Sequence, residues 1–242
     1  MRVAVVSDIH SNLVALHAAL ADAGVVDAVW CLGDIVGYGP QPNECIELLR
    51  QQPGLVCVAG NHDWAALEKL PADEFNHDAQ EAVLWTRRRL TPGNRTYLDG
   101  LPERDAALGF TIVHGSPRHP IWEYLVTPQK ARDNFSEFST AYCLVGHSHW
   151  PIMHVAEGDA LPTEEYPEWG LPMELGERRR FINPGSVGQP RDGDPDASYI
   201  ILDPESMTVE YRRVAYSVKT TQSLMRKEGL PARLIERIAH GW

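Results

Sequence analysis

Val3-Ala4-Val5-Val6-Ser7-Asp8-Ile9-His10-Ser11-Asn12 opens the chain, and its reading decides the fold. An apolar run rich in valine predicts a short strand over Val3 to Ser7, buried on both faces. Ser11 or Asn12 can cap a helix that runs to about Ala23, with Leu13, Leu16 and Leu20 on its apolar side. Ala28 to Leu32 reads as the next strand. Asn43 to Gln51 reads as a helix after the turn Gly37-Tyr38-Gly39-Pro40, and Leu55 to Ala59 as a third strand. The order is βαβαβ, which predicts an α/β protein with parallel strands covered by helices. Asp8 and Asp34 are 26 residues apart, and Asp34 and Asn61 are 27 apart. Each step matches one βαβ repeat, so the three residues should stand side by side at the carboxyl ends of neighbouring strands, where such sheets bind ligands.

Beyond residue 75, Asn76 to Leu90 is predicted as an amphipathic helix carrying Val83, Leu84 and Leu90. Thr111 to Val113 reads as a strand ending at His114, Thr127 to Phe138 as a helix, and Ala141 to Val145 as a strand ending at Gly146-His147. Ile152 to Val155, Phe181-Ile182, Tyr199 to Leu202 and Val209 to Val214 read as later strands. With no helix between them they imply antiparallel hairpins, and a second-half sheet packed against a first-half sheet. Gly158 to Glu177, rich in Glu and Pro, is predicted as an exposed loop, and Pro231 to His240 as a terminal helix.

A chain of 242 residues with no linker-like division is expected to form one domain, residues 1–242. The formal net charge of -11 disfavours duplex nucleic acid as a partner, since that binding rests on a positive field. It leaves room for a small anionic substrate, because bound metal ions dominate their own site. Cys31, Cys45, Cys57 and Cys143 form no Cys-x-x-Cys pair and are expected as buried, reduced thiols. Met1-Arg2 leads directly into a strand whose end carries a proposed ligand, so no signal peptide is expected, and no stretch has the length of a membrane span. The expected location is cytoplasmic. No residue pattern defines an oligomeric state.

Five signatures follow in order: Asp8-Ile9-His10, Gly33-Asp34, Gly60-Asn61-His62-Asp63, His114-Gly115 and Gly146-His147-Ser148-His149. Singly they carry little information; together, each at a predicted strand end, they offer more oxygen and imidazole ligands than one metal ion uses. In extended backbone Asp8 and His10 would point to one side, as would His147 and His149. Asp34, Asn61 and His114 complete seven ligands: two carboxylates, one amide and four imidazoles. With Asp34 shared they make two sets of four. Such a mixed donor set suits two divalent ions drawn from Mn, Fe, Zn and Ni. Two such ions keep a net positive charge that attracts a phosphoryl group, and they make a bridging hydroxide available as nucleophile at neutral pH.

The order of these motifs resembles the calcineurin-like metallophosphoesterase superfamily. Asp34-Ile35-Val36-Gly37-Tyr38-Gly39-Pro40 and Asn183-Pro184-Gly185-Ser186-Val187-Gly188-Gln189-Pro190-Arg191 resemble its compact bacterial and archaeal phosphodiesterase branch, over about residues 1 to 203. The resemblance implies a four-layer α/β/β/α sandwich with two mixed β-sheets. It also implies a ligand partition: Asp8, His10, Asp34 and His149 on one metal; Asp34, Asn61, His114 and His147 on the other. It implies that His62 stabilises the transition state or protonates the leaving oxygen, with Asp63 orienting the His62 ring.

Five more residues are candidate substrate contacts. Asn12 sits at a helix start, Ser186 in the Asn183–Ser186 turn, and Arg191 where a guanidinium can clamp phosphate. Tyr38 and His119 lie on loops expected to border the site. The expected activity is hydrolysis of a phosphodiester or small phosphomonoester. Competing readings are a dinucleoside-polyphosphate hydrolase, a protein serine/threonine phosphatase, and a non-catalytic metal-binding scaffold on the same fold.

Overall fold

A computed structural model describes all 242 residues. In chain order the elements begin with β1 (Val3–Val6), α1 (Leu13–Ala23), β2 (Ala28–Cys31), α2 (Pro42–Arg50) and β3 (Val56–Cys57). Then come α3 (Asn61–Ala66), α4 (His77–Arg89), α5 (Pro92–Asp99), β4 (Arg104–Ala107), β5 (Phe110–Val113), α6 (Pro128–Asn134) and β6 (Tyr142–Leu144). The chain ends with β7 (Pro151–Val155), β8 (Thr163–Glu165), β9 (Pro172–Glu174), β10 (Arg180–Pro184), β11 (Ala197–Asp203), β12 (Thr208–Val214), α7 (Val218–Lys227) and α8 (Ala232–Arg237).

Two six-stranded mixed sheets form, in the orders β3-β2-β1-β11-β12-β9 and β4-β5-β6-β10-β7-β8. β1, β2 and β3 are mutually parallel, as are β5, β6 and β10. Val3, Val5, Trp30, Phe110, Leu144, Ile182 and Ile200 fill the space between the sheets. Alternate residues Ala4, Val6, Val29 and Cys31 pack outward on Leu16, Ala19, Ile46 and Leu49 of α1 and α2. On the opposite flank Val113, Cys143 and Phe181 pack on Leu125, Ala131 and Phe138. With both faces of each sheet covered, the result is the expected α/β/β/α sandwich, and β1 and β2 are apolar at every position for that reason.

The division between sheets differs from the expected one. β11 and β12 do not join a second-half sheet: β11 lies antiparallel beside β1, with Val5 opposite Ile200. β1 is an interior strand and needs a partner on each side, and the seven-residue β11 supplies the second. The segment 158–177 is not all loop. It contributes the short edge strands β8 to one sheet and β9 to the other, whose Glu and Pro residues suit an edge that must not recruit further strands. On α4, Leu84 faces solvent, while Ala79, Ala82, Val83 and Thr86 are buried. α3, α5, β4 and α7 had no counterpart in the sequence reading. All four cysteines are free and buried. No helix is long and apolar enough to cross a membrane.

The last two helices reach back to the start of the chain. Met225, Leu234 and Ile238 pack with Tyr38, and Thr221 Oγ1 donates to Asn12 Oδ1 at 3.0 Å.

Candidate metal centre

The loops that follow β1, β2, β3, β5, β6 and β10 converge; Asp8, Asp34, His114, His147, His149 and Arg191 lie on them, and Asn61 opens α3 at the end of the β3 loop. The backbone there is unusual. Asp8, His10, Ser11, Asp34, Tyr38, His147 and His149 all have φ between 49° and 64°, a left-handed region that non-glycine residues enter at a cost of about 1–3 kcal/mol each. Asp8 and His10 therefore share a direction through left-handed turns and not, as expected, through extended backbone. Neighbouring loops hold these turns. Asp8 N donates to Gly33 O at 3.1 Å, His10 N to Asp34 O at 3.0 Å, and Gly188 N to Asp8 O at 3.0 Å. Gly60 is required where it stands, because a Cβ there would collide with the Asp34 carboxylate.

Each aspartate commits one oxygen to the protein. Asp8 Oδ2 accepts from Ser7 Oγ at 2.6 Å and His147 N at 3.1 Å. Asp34 Oδ1 accepts from His62 N at 2.8 Å. The other oxygens, Asp8 Oδ1 and Asp34 Oδ2, are buried without a hydrogen bond. Asp8 Oδ1 lies 3.2 Å from His149 Nε2 and 3.8 Å from His10 Nε2. Asp34 Oδ2 lies 3.6 Å from His10 Nε2 and 3.4 Å from His114 Nε2, so this single oxygen is in reach of both sides.

The imidazoles repeat the pattern. One nitrogen of each meets a backbone carbonyl: His10 Nδ1 at Val36 O (3.1 Å), His114 Nδ1 at Leu32 O (2.8 Å), His149 Nδ1 at Gln189 O (2.5 Å) and His147 Nε2 at Trp122 O (3.1 Å). A carbonyl accepts only, so in each case that nitrogen carries the proton and the inner one presents a lone pair. The inner nitrogens of His10 and His149 are 3.1 Å apart, and those of His114 and His147 are 3.2 Å apart. Asn61 Oδ1 is 3.1 Å from His114 Nε2. Lone pairs set face to face beside unpartnered carboxylate oxygens repel unless cations lie between them. The donor set thus fits bound metal, and the residues gather as Asp8, His10, His149 and as Asp34, His114, His147.

The electrostatics carry the same tension. Burial disfavours both carboxylates' charge, but the imidazoles and hydrogen bonds around them hold Asp8 and Asp34 well below the usual carboxylate range. Burial pushes His10, His147 and His149 down. His114 is buried too, yet the charge of Asp34 outweighs that and raises it to about 9.

His62 is buried between Tyr38 and Phe75, at ring-centre distances of 4.4 and 4.9 Å. Its Nδ1 has no partner and faces Gly37, where a Cβ would come within 2.6 Å. One ring nitrogen falls in a third grouping with His10 and Asp34. Burial lowers the imidazole to about 4 against the pull of Asp34. Asp63 does not orient this ring. Its carboxylate accepts from Gly60 N at 2.9 Å and Val36 N at 3.1 Å, so both oxygens pin the backbone that carries Asn61 and His62.

The five candidate substrate contacts divide. Arg191 leaves Nε buried without a partner. Its Nη2 donates to Gln189 Oε1 at 3.2 Å, and although burial opposes its charge, Tyr38, Tyr124 and Asp8 raise its pKa. Tyr38 lies 4.6 Å from His10, ring to ring. Asn12 and Ser186 instead spend their side chains on the protein: Asn12 on Gly188 O, Ala15 N and Thr221, and Ser186 on Asp8 O and Gln189 N. Both are buried and tie together the loops that carry Asp8 and Gly188. His119 is exposed, and only its backbone serves the loop, its carbonyl accepting from Trp122 N and Glu123 N. The sequence reading missed the aromatic wall. Tyr124 stacks on His147 at 3.8 Å, and Phe75 meets Trp122 at 5.2 Å. These rings sit on irregular loops, where no periodicity marks them.

A cluster of this kind at the carboxyl ends of two mixed sheets is the mark of a metal-dependent phosphoester hydrolase. The chain belongs to the calcineurin-like phosphoesterase superfamily, whose domain model matches residues 1–207. A metallophosphoesterase from Sphaerobacter thermophilus has a crystal structure that superposes with a TM-score of 0.91 at 47% identity, covering 100% of this chain and 99% of that one. An uncharacterised protein of Methanocaldococcus jannaschii is 42% identical over 99% of this chain and 98% of its own length. A symmetrical bis(5'-nucleosyl)-tetraphosphatase of Pectobacterium atrosepticum is 33% identical over 100 residues, 35% of this chain and 36% of that protein.

Proposed function

We propose that the protein hydrolyses a phosphodiester or a small phosphomonoester at a centre of two divalent metal ions. The observation that carries this reading is the pairing of inner nitrogens, His10 with His149 and His114 with His147, across the free oxygens of Asp8 and Asp34. In this reading Asp8, His10, Asp34 and His149 would hold one ion, and Asp34, Asn61, His114 and His147 would hold the other. Bound there, the ions would neutralise phosphoryl oxygens and supply an activated water at neutral pH.

The chain's own groups do the rest. Arg191 offers its guanidinium to a phosphoryl oxygen. His62, anchored through its own N–H on Asp34, directs an imidazole N–H at the leaving oxygen as charge develops on it. Lacking a carboxylate on its far nitrogen, it acts as a hydrogen-bond donor more than as a strong acid. Asp63 is a positioning residue for the Gly60–His62 turn. The aromatic wall of Phe75, Trp122 and Tyr124 borders the centre and limits water on that side.

The local likeness to a dinucleoside tetraphosphatase supports a second reading, in which the scissile bond lies in a polyphosphate chain. One experiment tests both. Purified protein is stripped with EDTA, reloaded with Mn²⁺, and offered bis-p-nitrophenyl phosphate, p-nitrophenyl phosphate and a dinucleoside tetraphosphate. Hydrolysis should vanish on stripping and return on reloading, and turnover that survives full chelation would overturn the reading.

A further inference from the structure

A second cavity adjoins the centre and takes no part in the chemistry above. Its volume is about 200 Å³, and Val126, Ser148, Trp150, Ile152, Glu164 and Tyr166 line it. That is below the roughly 300–1,000 Å³ of a site for a drug-sized ligand, so it suits one ring system. It shares a wall with the cluster. Ser148 is the residue between His147 and His149, and Val126 stands two residues from Tyr124, which stacks on His147.

The cavity is apolar on its sides and polar at one end. Trp150 and Tyr166 are 49% and 57% exposed, leaving ring surface for a guest. Ile152 and His154 share a face of β7, Trp150 stands just before that strand, and β8 places Glu164 opposite His154. His154 itself is buried behind this wall, its Nδ1 4.0 Å from Glu164 Oε1. Glu164 does line the cavity, so the slot offers a carboxylate acceptor at one end of its aromatic walls. No Lys or Arg lines the cavity, so a second phosphate finds only the repulsion of Glu164. An aromatic face with an edge of donors and acceptors describes a nucleobase, and a carboxylate at that edge selects one carrying an amino group.

We propose that this cavity is a nucleobase subsite, taking the amino-bearing base of a nucleoside phosphate ester whose phosphoryl group lies at the metal-ligand cluster. The proposal rests on the phosphoesterase reading for its substrate but not for its binding. Calorimetry with adenosine, which has no phosphate, tests the binding on the metal-free full chain. Adenosine should bind the wild type, and Trp150→Ala should weaken it by about tenfold or more, the usual effect of losing one stacking partner. Purine riboside, which lacks the amino group, should bind less tightly, and Glu164→Gln should erase that difference. On the Mn²⁺-loaded enzyme, the p-nitrophenyl ester of adenosine 5'-monophosphate should show a KM about tenfold below that of methyl p-nitrophenyl phosphate. Trp150→Ala should remove this advantage and leave the methyl ester unaffected.

Failure of adenosine to bind at millimolar concentration, or equal binding by Trp150→Ala, overturns the subsite even if both esters are hydrolysed. Tryptophan-dependent adenosine binding without hydrolysis of either ester overturns the phosphoesterase reading and leaves a nucleoside site standing.

Discussion

Asp34 accepts the backbone N–H of His62 through Oδ1 at 2.8 Å while Oδ2 stays unpartnered among His10 and His114. One carboxylate thus sets the position of the candidate transition-state donor and faces both halves of the ligand cluster. The chemistry and the metal content of the site should be coupled through this side chain.

Asp34→Ala should therefore remove both properties. Elemental analysis of the purified variant is expected to find at most one ion per chain, and kcat should fall by at least about 10³-fold, more than loss of a single polar contact explains. A fully metallated, active variant would refute the shared role.

His62→Ala should separate them. Because the imidazole lies outside the two main groupings, metal content should be retained, while kcat drops about 10²- to 10⁴-fold, the range for removing a proton donor, with KM little changed. Loss of an ion on this substitution would make His62 a ligand.

Asp63→Ala should act on stability as well as rate. It strips the acceptor from the N–H groups of Gly60 and Val36 in a fully buried place, a cost of about 2–4 kcal/mol for two unmet donors. Denaturant unfolding should register that loss. A variant as stable as the parent would show that the turn holds itself.

Glu123, in the loop between Trp122 and Tyr124, supplies a pH dependence of stability. Burial works against its charge, but hydrogen bonds from Arg118, Ser116 and Asn134 outweigh that and lower its pKa from 4.5 to about 2. A depressed acid stabilises the fold above its unfolded value, and the contribution disappears as pH falls. The Tm of the wild type should decline between about pH 4.5 and 2 more steeply than that of Glu123→Gln. Parallel curves would mean that the network adds nothing.

Much of the centre was legible because regular spacing carries it. Asp8, Asp34 and Asn61 follow three parallel strands at near-equal steps, and His114 and His147 end apolar runs. What escaped depends on long-range partners. Nothing local tells that Tyr199 to Leu202 pairs with β1, since strand pairing is settled by the edge left open elsewhere. Asn12 and Ser186 have the residue types of substrate contacts, but their hydrogen bonds run to backbone brought near only by folding. The left-handed turns at Asp8, His10, His147 and His149 were also hidden, because no glycine announces them. Trp150 and Glu164 meet across a cavity only because β7 and β8 pair.

The place of β11 beside β1 has a consequence for synthesis. β1 leaves the ribosome about 190 residues before β11 follows, a wait of roughly 10–40 s at ordinary rates of elongation. Through that interval the nascent chain carries an apolar strand with one open side, and the Asp8 turn lacks the Gly188 N–H that will fasten it. The Asp8 loop is therefore among the first parts made and among the last to be finished. A nascent chain halted before residue 197 would carry all seven candidate ligands without the strand that closes the sheet beside them.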